Sequence, residues 1–290
     1  MKVFPDCIPC HLQQTKRVLD SLNIANEEAF ELYREVCAKY AEMDTDITPV
    51  EMADLLYTTV EEKTGVADVF KKEKKQANDM ALNVVDLIKQ DPRSATWPLK
   101  LYAKLSSLGN QIDLGAHDVD LGNFEKDIIN NAFKLDFKLD SFNDFKDRMN
   151  DAGSILYILD NAGEIVFDKL FMEQILKEYP GKKIFAAVRG RKILNDVTTE
   201  DAAYVGLDRL VNVINSGSPY PGIVLEKSND QMKKVFEETD LIVSKGQGNF
   251  EGLSANASEK IFFCLMVKCD TISKYIGVEK GSTIFSNKVL

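Results

Sequence analysis

The first half of the chain carries apolar residues at the spacing of one face of a helix. Leu12 and Leu19, two turns apart, belong to the first such stripe. Thr48 and Glu51 have the spacing of a capping box, which predicts the start of another helix. The stretches with helical periodicity are residues 11–22, 27–40, 49–64, 70–89, 99–108, 124–133 and 142–149. We therefore expect residues 1–150 to form a mainly helical domain.

The pattern changes near residue 154, where short apolar runs bounded by turn residues replace the helical spacing. Such runs are typical of buried parallel strands. The expected strands are residues 155–159, 183–188, 210–214, 241–244 and 261–267, with helices at 165–179, 199–205 and 229–238 between them. This alternation predicts an α/β domain at residues 151–290, with a parallel or mixed sheet and helices on both faces. Part of the helical first half is free to pack into this second domain.

Composition and charge exclude several classes of protein. The 290 residues include 36 Lys and Arg against 46 Asp and Glu, a formal net charge of −10, so a basic nucleic-acid-binding surface is not expected. No apolar run approaches the ~20 residues of a membrane-spanning helix, and residues 1–7 do not resemble a secretory signal. Five cysteines, an odd number, do not suggest a disulfide framework. We expect a cytoplasmic protein that binds neither nucleic acid nor membrane.

Polar residues follow the predicted strands at the edge where open α/β sheets bind ligands. Asp160 and Asn161 follow the first strand, and Asp196 lies in the loop after the second. A buried carboxylate is costly unless it is paired, and these side chains offer the oxygen ligands that Mg²⁺ or Mn²⁺ prefers. We therefore expect a divalent-metal site at Asp160, Asn161 and Asp196. The alternatives are an Asx turn capping the next helix and nucleophilic attack by Asp160, which is disfavoured because Ala162 stands where aspartyl phosphatases carry a second Asp.

The loop after the fourth strand has the composition of an anion-binding loop. Lys245 is followed by Gly246, Gly248 and Asn249, so backbone N–H groups can approach a phosphate while the lysine neutralises its charge. Arg189, after the second strand, adds positive charge for substrate binding. The spacing is not that of a Walker loop. A simple turn, with the arginine solvated at the surface, is the ordinary alternative.

Together these residues suit phosphoryl transfer, in which catalysis is mostly positioning and charge stabilisation. A metal ion would activate the attacking water, with Asp160, Asp196 and Lys245 as the catalytic residues. Glu164 is expected to reach the same site and bind substrate, although an acid in the first turn of a helix is also an ordinary feature. Two other functions stay open: a nucleotide- or metabolite-binding protein without turnover, and a transferase that uses the same crevice. The oligomeric state is not predicted.

Several segments together resemble the damage-control phosphatase family, formerly known as domain of unknown function 89. In the second half these segments are LDNAGE at 159–164, RG at 189–190, NDVT at 195–198, DA at 201–202 and SKGQGNFE at 244–251. The segments CIPC at 7–10, GNQID at 109–113 and KC at 268–269 resemble its prokaryotic, cysteine-bearing branch. The likeness spans almost the whole chain, in the order of the family.

The resemblance implies a helical domain packed on a three-layer α/β/α domain with a Rossmann-like, mostly parallel sheet. It implies a phosphatase that uses a divalent metal, Mn²⁺, Mg²⁺, Co²⁺ or Ni²⁺, and acts on small sugar phosphates, nucleotides or damaged phospho-metabolites. By the matching motifs, the metal ligands would be the three residues proposed above, and Lys245 and Asn249 would contact the phosphate. Asn110 and Asp113 would lie near the substrate.

The cysteines pose a separate question. Cys7 and Cys10 have the spacing of half a zinc-ligand set. With Cys269 and a fourth ligand such as His11, they are candidates for a second metal site. A redox pair and ordinary reduced thiols are the alternatives, and the sequence leaves all three open.

Overall fold

A computed structural model describes residues 1–109 and 121–289. Helices dominate the first half of the chain and alternate with strands in the second. Within the described residues the helices are α1 (Cys7–Leu22), α2 (Asn26–Glu42), α3 (Pro49–Thr64), α4 (Lys71–Gln90), α5 (Leu99–Leu108), α6 (Leu121–Lys134), α7 (Phe142–Asp151), α8 (Glu164–Glu178), α9 (Thr199–Tyr204), α10 (Asp230–Glu238), α11 (Gln247–Leu253) and α12 (Asp270–Ile276).

Six strands form one twisted sheet in the second half. They are β1 (Ser154–Ile158), β2 (Lys183–Val188), β3 (Asn212–Asn215), β4 (Leu241–Lys245), β5 (Ile261–Met266) and β6 (Thr283–Ser286). The spatial order is β3-β2-β1-β4-β5-β6, and every neighbouring pair is parallel except β5 and β6. The strands that follow β1 are added on one side of it up to β3 and on the other side from β4 onwards. The boundary between β1 and β4 is therefore a topological switch point, where open α/β sheets form ligand-binding crevices.

Helices cover both faces of the sheet. Because successive side chains of a strand point to opposite faces, each strand contributes to both cores. Ile155 and Tyr157 of β1 belong to the core that α4–α9 cover. Leu156 and Ile158 point into the opposite core, which is completed by residues of α10, α11 and α12. The predicted three-layer α/β/α architecture with a mostly parallel, Rossmann-like sheet is therefore confirmed.

Helices α1–α3 form a smaller cluster with its own apolar core beside the loop after β2. The α3 capping box is present, with the Thr48 hydroxyl accepting from the Glu51 N–H. Arg191 attaches the cluster to the sheet, since its guanidinium contacts Asp54 at 2.7 Å and Glu61 at 2.7 Å. The loop after β2 is thus held by the helical first half of the chain.

Candidate functional site

The candidate catalytic and binding residues lie together at the edge of the sheet formed by the carboxyl ends of its parallel strands. Asp160 follows β1, Arg189 follows β2, and Lys245 is the last residue of β4. Because β1 lies between β2 and β4, the carboxyl ends of these strands are neighbours. Gly246 has a φ of +78°, and a Cβ there would lie 2.0 Å from a carboxylate oxygen of Asp160. Only glycine fits beneath that carboxylate.

Asp160 and Asp196 share one buried guanidinium. Arg189 Nε donates to Asp196 Oδ2 at 2.5 Å, and its Nη2 donates to Asp160 Oδ1 at 3.1 Å. The loops that carry the two acids are also joined by backbone, since the Val197 N–H donates to the Asp160 carbonyl at 2.9 Å. The two predicted metal-binding carboxylates therefore lie side by side.

Asn161 lies between this acid pair and a second group of acids. Its Nδ2 donates to Asp160 Oδ2 at 2.7 Å and to Glu164 Oε2 at 3.3 Å. Asn161 and Asp196 are also paired through their backbones. The three residues predicted to hold a metal ion are thus neighbours in the structure, and Glu164 adjoins them.

Lys245 is fully buried and surrounded by acceptors. Its Nζ donates to Asp168 Oδ1 at 2.6 Å, to Glu164 Oε1 at 2.8 Å and to Ser106 Oγ at 2.8 Å. The Tyr157 hydroxyl donates to the same Asp168 oxygen at 2.8 Å. Burial opposes the charge of Lys245, but the two carboxylates outweigh it and raise the pKa of Lys245. Its ammonium group is balanced within the protein.

The Asn249 side chain forms hydrogen bonds to backbone groups, and Gly248 packs closely against the backbone of a neighbouring loop. Asn249 Nδ2 donates to the carbonyls of Lys245 at 2.7 Å and Leu159 at 3.0 Å, and its Oδ1 accepts from the Ile223 N–H at 3.0 Å. A Cβ at Gly248 would lie 2.1 Å from the carbonyl oxygen of Pro221. The predicted phosphate contact of Asn249 would require its side chain to leave these partners.

The buried charges of the site do not balance. Burial raises the pKa of Asp160 to about 8, with Asp196 and Glu164 adding to the effect. Burial also raises the pKa of Asp196, and that of Asp168 to about 6. Four buried carboxylates stand against two buried cations; they are Asp160, Glu164, Asp168 and Asp196 against Arg189 and Lys245. This excess of negative charge favours the binding of a cation.

A cavity of about 150 Å³ opens beside these charges. Its wall includes Ser107 of α5, Glu164, Gly246, Gln247 and Lys268. Glu164 therefore connects the cavity to the acid cluster. Asn110 and Asp113, the predicted substrate neighbours, lie outside the described residues.

Comparison with known proteins identifies the family of the chain. The family described as the Damage-control phosphatase ARMT1-like domain matches residues 3–284. The chain belongs to this family. The predicted family resemblance is therefore confirmed, and membership supports a phosphatase role on phosphorylated metabolites.

Curated relatives of this damage-control phosphatase family member match over nearly their full length. It is 31% identical to a damage-control phosphatase of Archaeoglobus fulgidus, with 98% of each chain covered. It is 34% identical to an uncharacterised protein of Methanocaldococcus jannaschii, over 98% of this chain and 95% of the relative. The crystal structure of a DUF89 family protein from Pyrococcus horikoshii superposes with a TM-score of 0.92 at 28% identity, covering 99% of this chain and 100% of that one.

Sequence reasoning about this family member missed Asp168 and Ser106, and it gave Lys268 no role at the site. Asp168 lies four residues after Glu164, so both carboxylates project from one face of α8. An acid at that spacing within the mostly apolar stretch 165–172 was the available signal. Ser106 gave none, because it meets Lys245 only through the fold. Lys268 follows the predicted fifth strand, and its position at the sheet edge was a usable signal.

The cysteines lie in one region but do not form a recognisable metal site. Cys7 and Cys10 lie in the first turn of α1, and Cys269 is the N-cap of α12. Burial raises the pKa values of Cys7 and Cys10, and both thiols also feel the charges of Glu251 and Cys269. In the described part of the chain, no three His, Cys, Asp or Glu side chains are arranged to hold a metal ion. The cysteine site stays a prediction.

None of the helices within residues 1–109 and 121–289 is long and apolar enough to cross a membrane.

Proposed function

We propose that the chain is a divalent-metal-dependent phosphomonoester hydrolase acting on small phosphorylated metabolites at this crevice. The observation that carries the proposal is the buried acid pair of Asp160 and Asp196 on Arg189, at the switch point of the sheet and beside an open cavity. Sugar phosphates, nucleotides and damaged phospho-metabolites are the substrate classes to test.

The donor set suits a hard divalent cation. Asp160, Asn161 and Asp196 would hold it, because carboxylate and amide oxygens are what Mg²⁺ and Mn²⁺ prefer, with Co²⁺ and Ni²⁺ as further candidates. The surplus of buried negative charge supports this assignment. When bound, such an ion polarises the phosphate and lowers the pKa of a water molecule.

The side chains of the protein supply position and charge. Arg189 fixes the orientation of both carboxylates through its Nε and Nη2. Lys245 holds Glu164 through a 2.8 Å contact, so that Glu164 reaches the cavity wall. There the Glu164 carboxylate would accept a hydrogen bond from the attacking water or a substrate hydroxyl. Gly246, which lines the cavity, leaves room for the neighbouring Asp160 carboxylate.

A phosphatase screen tests this function. p-Nitrophenyl phosphate, sugar phosphates and nucleotides would be assayed with EDTA and then with each of the four metals. We expect metal-dependent phosphate release that falls at least about 100-fold in Asp160→Asn and Asp196→Asn, as is typical when a catalytic metal or its electrostatic support is lost. Asp20→Asn, which removes an exposed acid of α1, is the matched control.

The outcomes separate the alternatives. Binding of phosphorylated ligands without release under any metal would favour a non-hydrolytic binding protein. Phosphate transfer that appears only when an acceptor alcohol is supplied would favour a transferase. Acid-quench mass spectrometry during turnover decides the role of Asp160: a protein-bound phosphate at that residue would make it the nucleophile, and none is expected if it binds the metal.

A further inference from the structure

One lysine of a charged run in α4 is buried. Residues 71–75 contain four lysines and a glutamate; Lys74 is only 3% exposed, whereas the other three lysines face solvent. The Lys74 Nζ donates to Asp201 Oδ2 at 3.2 Å and lies 3.7 Å from Asp68 Oδ2. Burial of an ammonium group is costly unless carboxylates pair with it. These two acids therefore compensate the burial of Lys74.

Asp201 connects Lys74 to the loop after β2. The same Oδ2 atom of Asp201 accepts from the Thr198 N–H and from the Thr198 hydroxyl, both at 2.9 Å, at the N-terminus of α9. Thr198 lies two residues after Asp196, one of the proposed metal ligands. Through Asp201, Lys74 therefore holds the segment that carries the Asp196 carboxylate.

Asn78 connects the same helix to the loop after β1. Its side chain is 1% exposed, and its Oδ1 accepts from the Gly163 N–H at 2.7 Å. The helix also lies directly against this loop, since a Cβ at Gly163 would be 3.2 Å from the Cβ of Ala77. Asn78 follows Lys74 by four residues, and side chains at that spacing share one face of a helix. One face of α4 therefore contacts both loops that carry the proposed metal ligands.

The two loops are also joined to each other. The Ala162 N–H donates to the Asn195 carbonyl at 2.8 Å, next to the proposed ligands Asn161 and Asp196. Helix α4 and the two loops thus form a closed set of hydrogen bonds. Because the set is closed, loss of either contact from α4 is expected to loosen both loops.

We propose that Lys74 and Asn78 are positioning residues, which set the spacing between the Asp160–Asn161 pair and Asp196 before a divalent cation binds. The inference rests on the proposed metal-dependent function and deepens it. Groups that orient metal ligands without touching the metal typically change metal affinity about 10- to 100-fold when they are removed. Neither residue is assigned a contact with the metal or the substrate.

Two substitutions remove the contacts one at a time. Asn78→Leu removes the acceptor of the Gly163 N–H at similar side-chain size, and Asn78→Asp keeps an acceptor oxygen there. Lys74→Met removes the buried ammonium group. The controls are Lys71→Met, which removes an exposed lysine of the same helix, and Ile88→Ala, which weakens the buried face of α4 ten residues after Asn78.

Hydrogen exchange of the metal-free protein reports on the loops without metal or turnover. We expect exchange to become about 5- to 10-fold faster in peptides covering residues 160–163 and 195–198, in both Asn78→Leu and Lys74→Met, as for the loss of one hydrogen bond. In Ile88→Ala, exchange should become faster within α4 without a preference for the two loops. Lys71→Met should exchange like the wild type.

Calorimetric titration with Mn²⁺ gives the second readout. We expect Kd to rise about 10- to 100-fold in Asn78→Leu and Lys74→Met and to stay close to the wild-type value in the two controls. Asn78→Asp should recover most of the loss. With p-nitrophenyl phosphate, the Mn²⁺ concentration needed for half-maximal activity should rise by the same factor, while kcat at saturating Mn²⁺ changes little. General loss of stability would not produce this split.

The possible outcomes keep the inference and the proposed function apart. Unchanged Kd in Asn78→Leu and Lys74→Met would overturn the inference even if exchange became faster, because the contacts would then serve the fold alone. An equal rise of Kd in Ile88→Ala would overturn it as well. If the wild type releases phosphate with Mn²⁺ and these variants bind Mn²⁺ normally, the inference is wrong and the function stands. If the wild type binds Mn²⁺ but releases no phosphate, the function is wrong and Kd still decides the inference.

Discussion

Two buried cations, each held between two carboxylates, organise the site at the scale of single residues. Arg189 joins Asp160 to Asp196, and Lys245 joins Glu164 to Asp168. Buried ion pairs of this kind contribute little net stability, because desolvation offsets their attraction. Their value here is positional, since they set carboxylate oxygens in fixed places around the cavity.

Removing the charge of Lys245 should destabilise the fold, because the two buried carboxylates that it pairs with would lose their cation. In Lys245→Met, Glu164 and Asp168 lose their buried cation, so we expect unfolding free energy to fall by about 3–5 kcal/mol. Urea denaturation measures this change. Adding Asp168→Asn should recover part of the loss, because one surplus charge disappears. A double variant no more stable than Lys245→Met would show that the two residues are not coupled.

Gly246 is the second residue-scale test. In Gly246→Ala, the new Cβ meets the Asp160 carboxylate at 2.0 Å in a backbone conformation that only glycine readily adopts. We expect loss of metal affinity, measured by Mn²⁺ calorimetry, together with reduced stability. Gly277→Ala is the control, because Gly277 also has a positive φ but has nothing within 4 Å of its Cβ position. That variant should lose about 1–2 kcal/mol of stability and keep its metal affinity.

The sequence predicts a site residue when its position after a predicted strand is enough to place it at the sheet edge. Asp160, Asp196 and Lys245 follow apolar runs that had to be buried strands, so the sheet edge could be inferred before the fold was known. The actual partners of Lys245 could not be inferred. Ser106 lies 139 positions away in sequence, and only the packing of α5 on the sheet brings it to the lysine. For the same reason, the commitment of Asn249 to backbone carbonyls was not foreseeable.

At the scale of elements, segments with a clear apolar pattern were identified, and some short elements without such a pattern were not. The five strands β1 to β5 were predicted from apolar runs in the sequence, although β3 itself has only four residues. The strand β6, with the sequence TIFS, has only four residues and two hydroxyl side chains, and α12 is a helix of seven residues. These two elements are buried by the elements packed around them, and their own sequences show no apolar pattern that predicts a strand or a helix. Likewise, α1 begins at Cys7, four residues before its predicted start, because Pro9 fits the first turn of a helix.

Helix α1 provides an element-scale prediction on pH. Its His11 packs edge-on against Tyr40 of α2, and burial lowers the pKa of His11 to about 4. A histidine that is neutral when folded favours the folded state above its unfolded pKa, near 6.5, and this stability is lost as pH falls towards 4. We expect the loss to reach about 3 kcal/mol at most by pH 4.

Comparison with His11→Gln isolates this contribution, because other acids titrate in the same range. Denaturant unfolding of both proteins at pH 7, 6, 5 and 4 should show the wild type losing stability faster. Parallel curves would mean that His11 is not the group responsible.

At the scale of the whole molecule, the two halves of the sequence share one structure. The core on one face of the sheet contains residues from α4 to α7 as well as from the strands. Arg191 joins α3 to the loop after β2, which carries a proposed metal ligand. The division at residue 150 stays a prediction about how the chain is organised, and the site depends on elements from both sides of it.

The surplus of buried acids should make the stability of the whole molecule depend on metal. A ligand that binds only the folded state raises its stability by about 2.7 kcal/mol at a concentration 100 times Kd. We therefore expect Mn²⁺ to raise Tm by several degrees in the wild type and in Asp20→Asn, and by much less in Asp196→Asn. Calorimetric scans with EDTA and with Mn²⁺ measure this. An equal rise in all three proteins would place the ion elsewhere.

The outer side of β6 has a further consequence. Residues 138–141 run alongside it: the Lys138 N–H donates to the Thr283 carbonyl at 2.9 Å, and the Ser141 N–H donates to that of Phe285 at 2.7 Å. One margin of the sheet is thereby closed to additional strands. The opposite margin is β3, a four-residue strand that begins and ends with an exposed asparagine. Short, polar margins discourage pairing between copies of a chain, so this sheet is protected against edge-to-edge aggregation on both sides by different means.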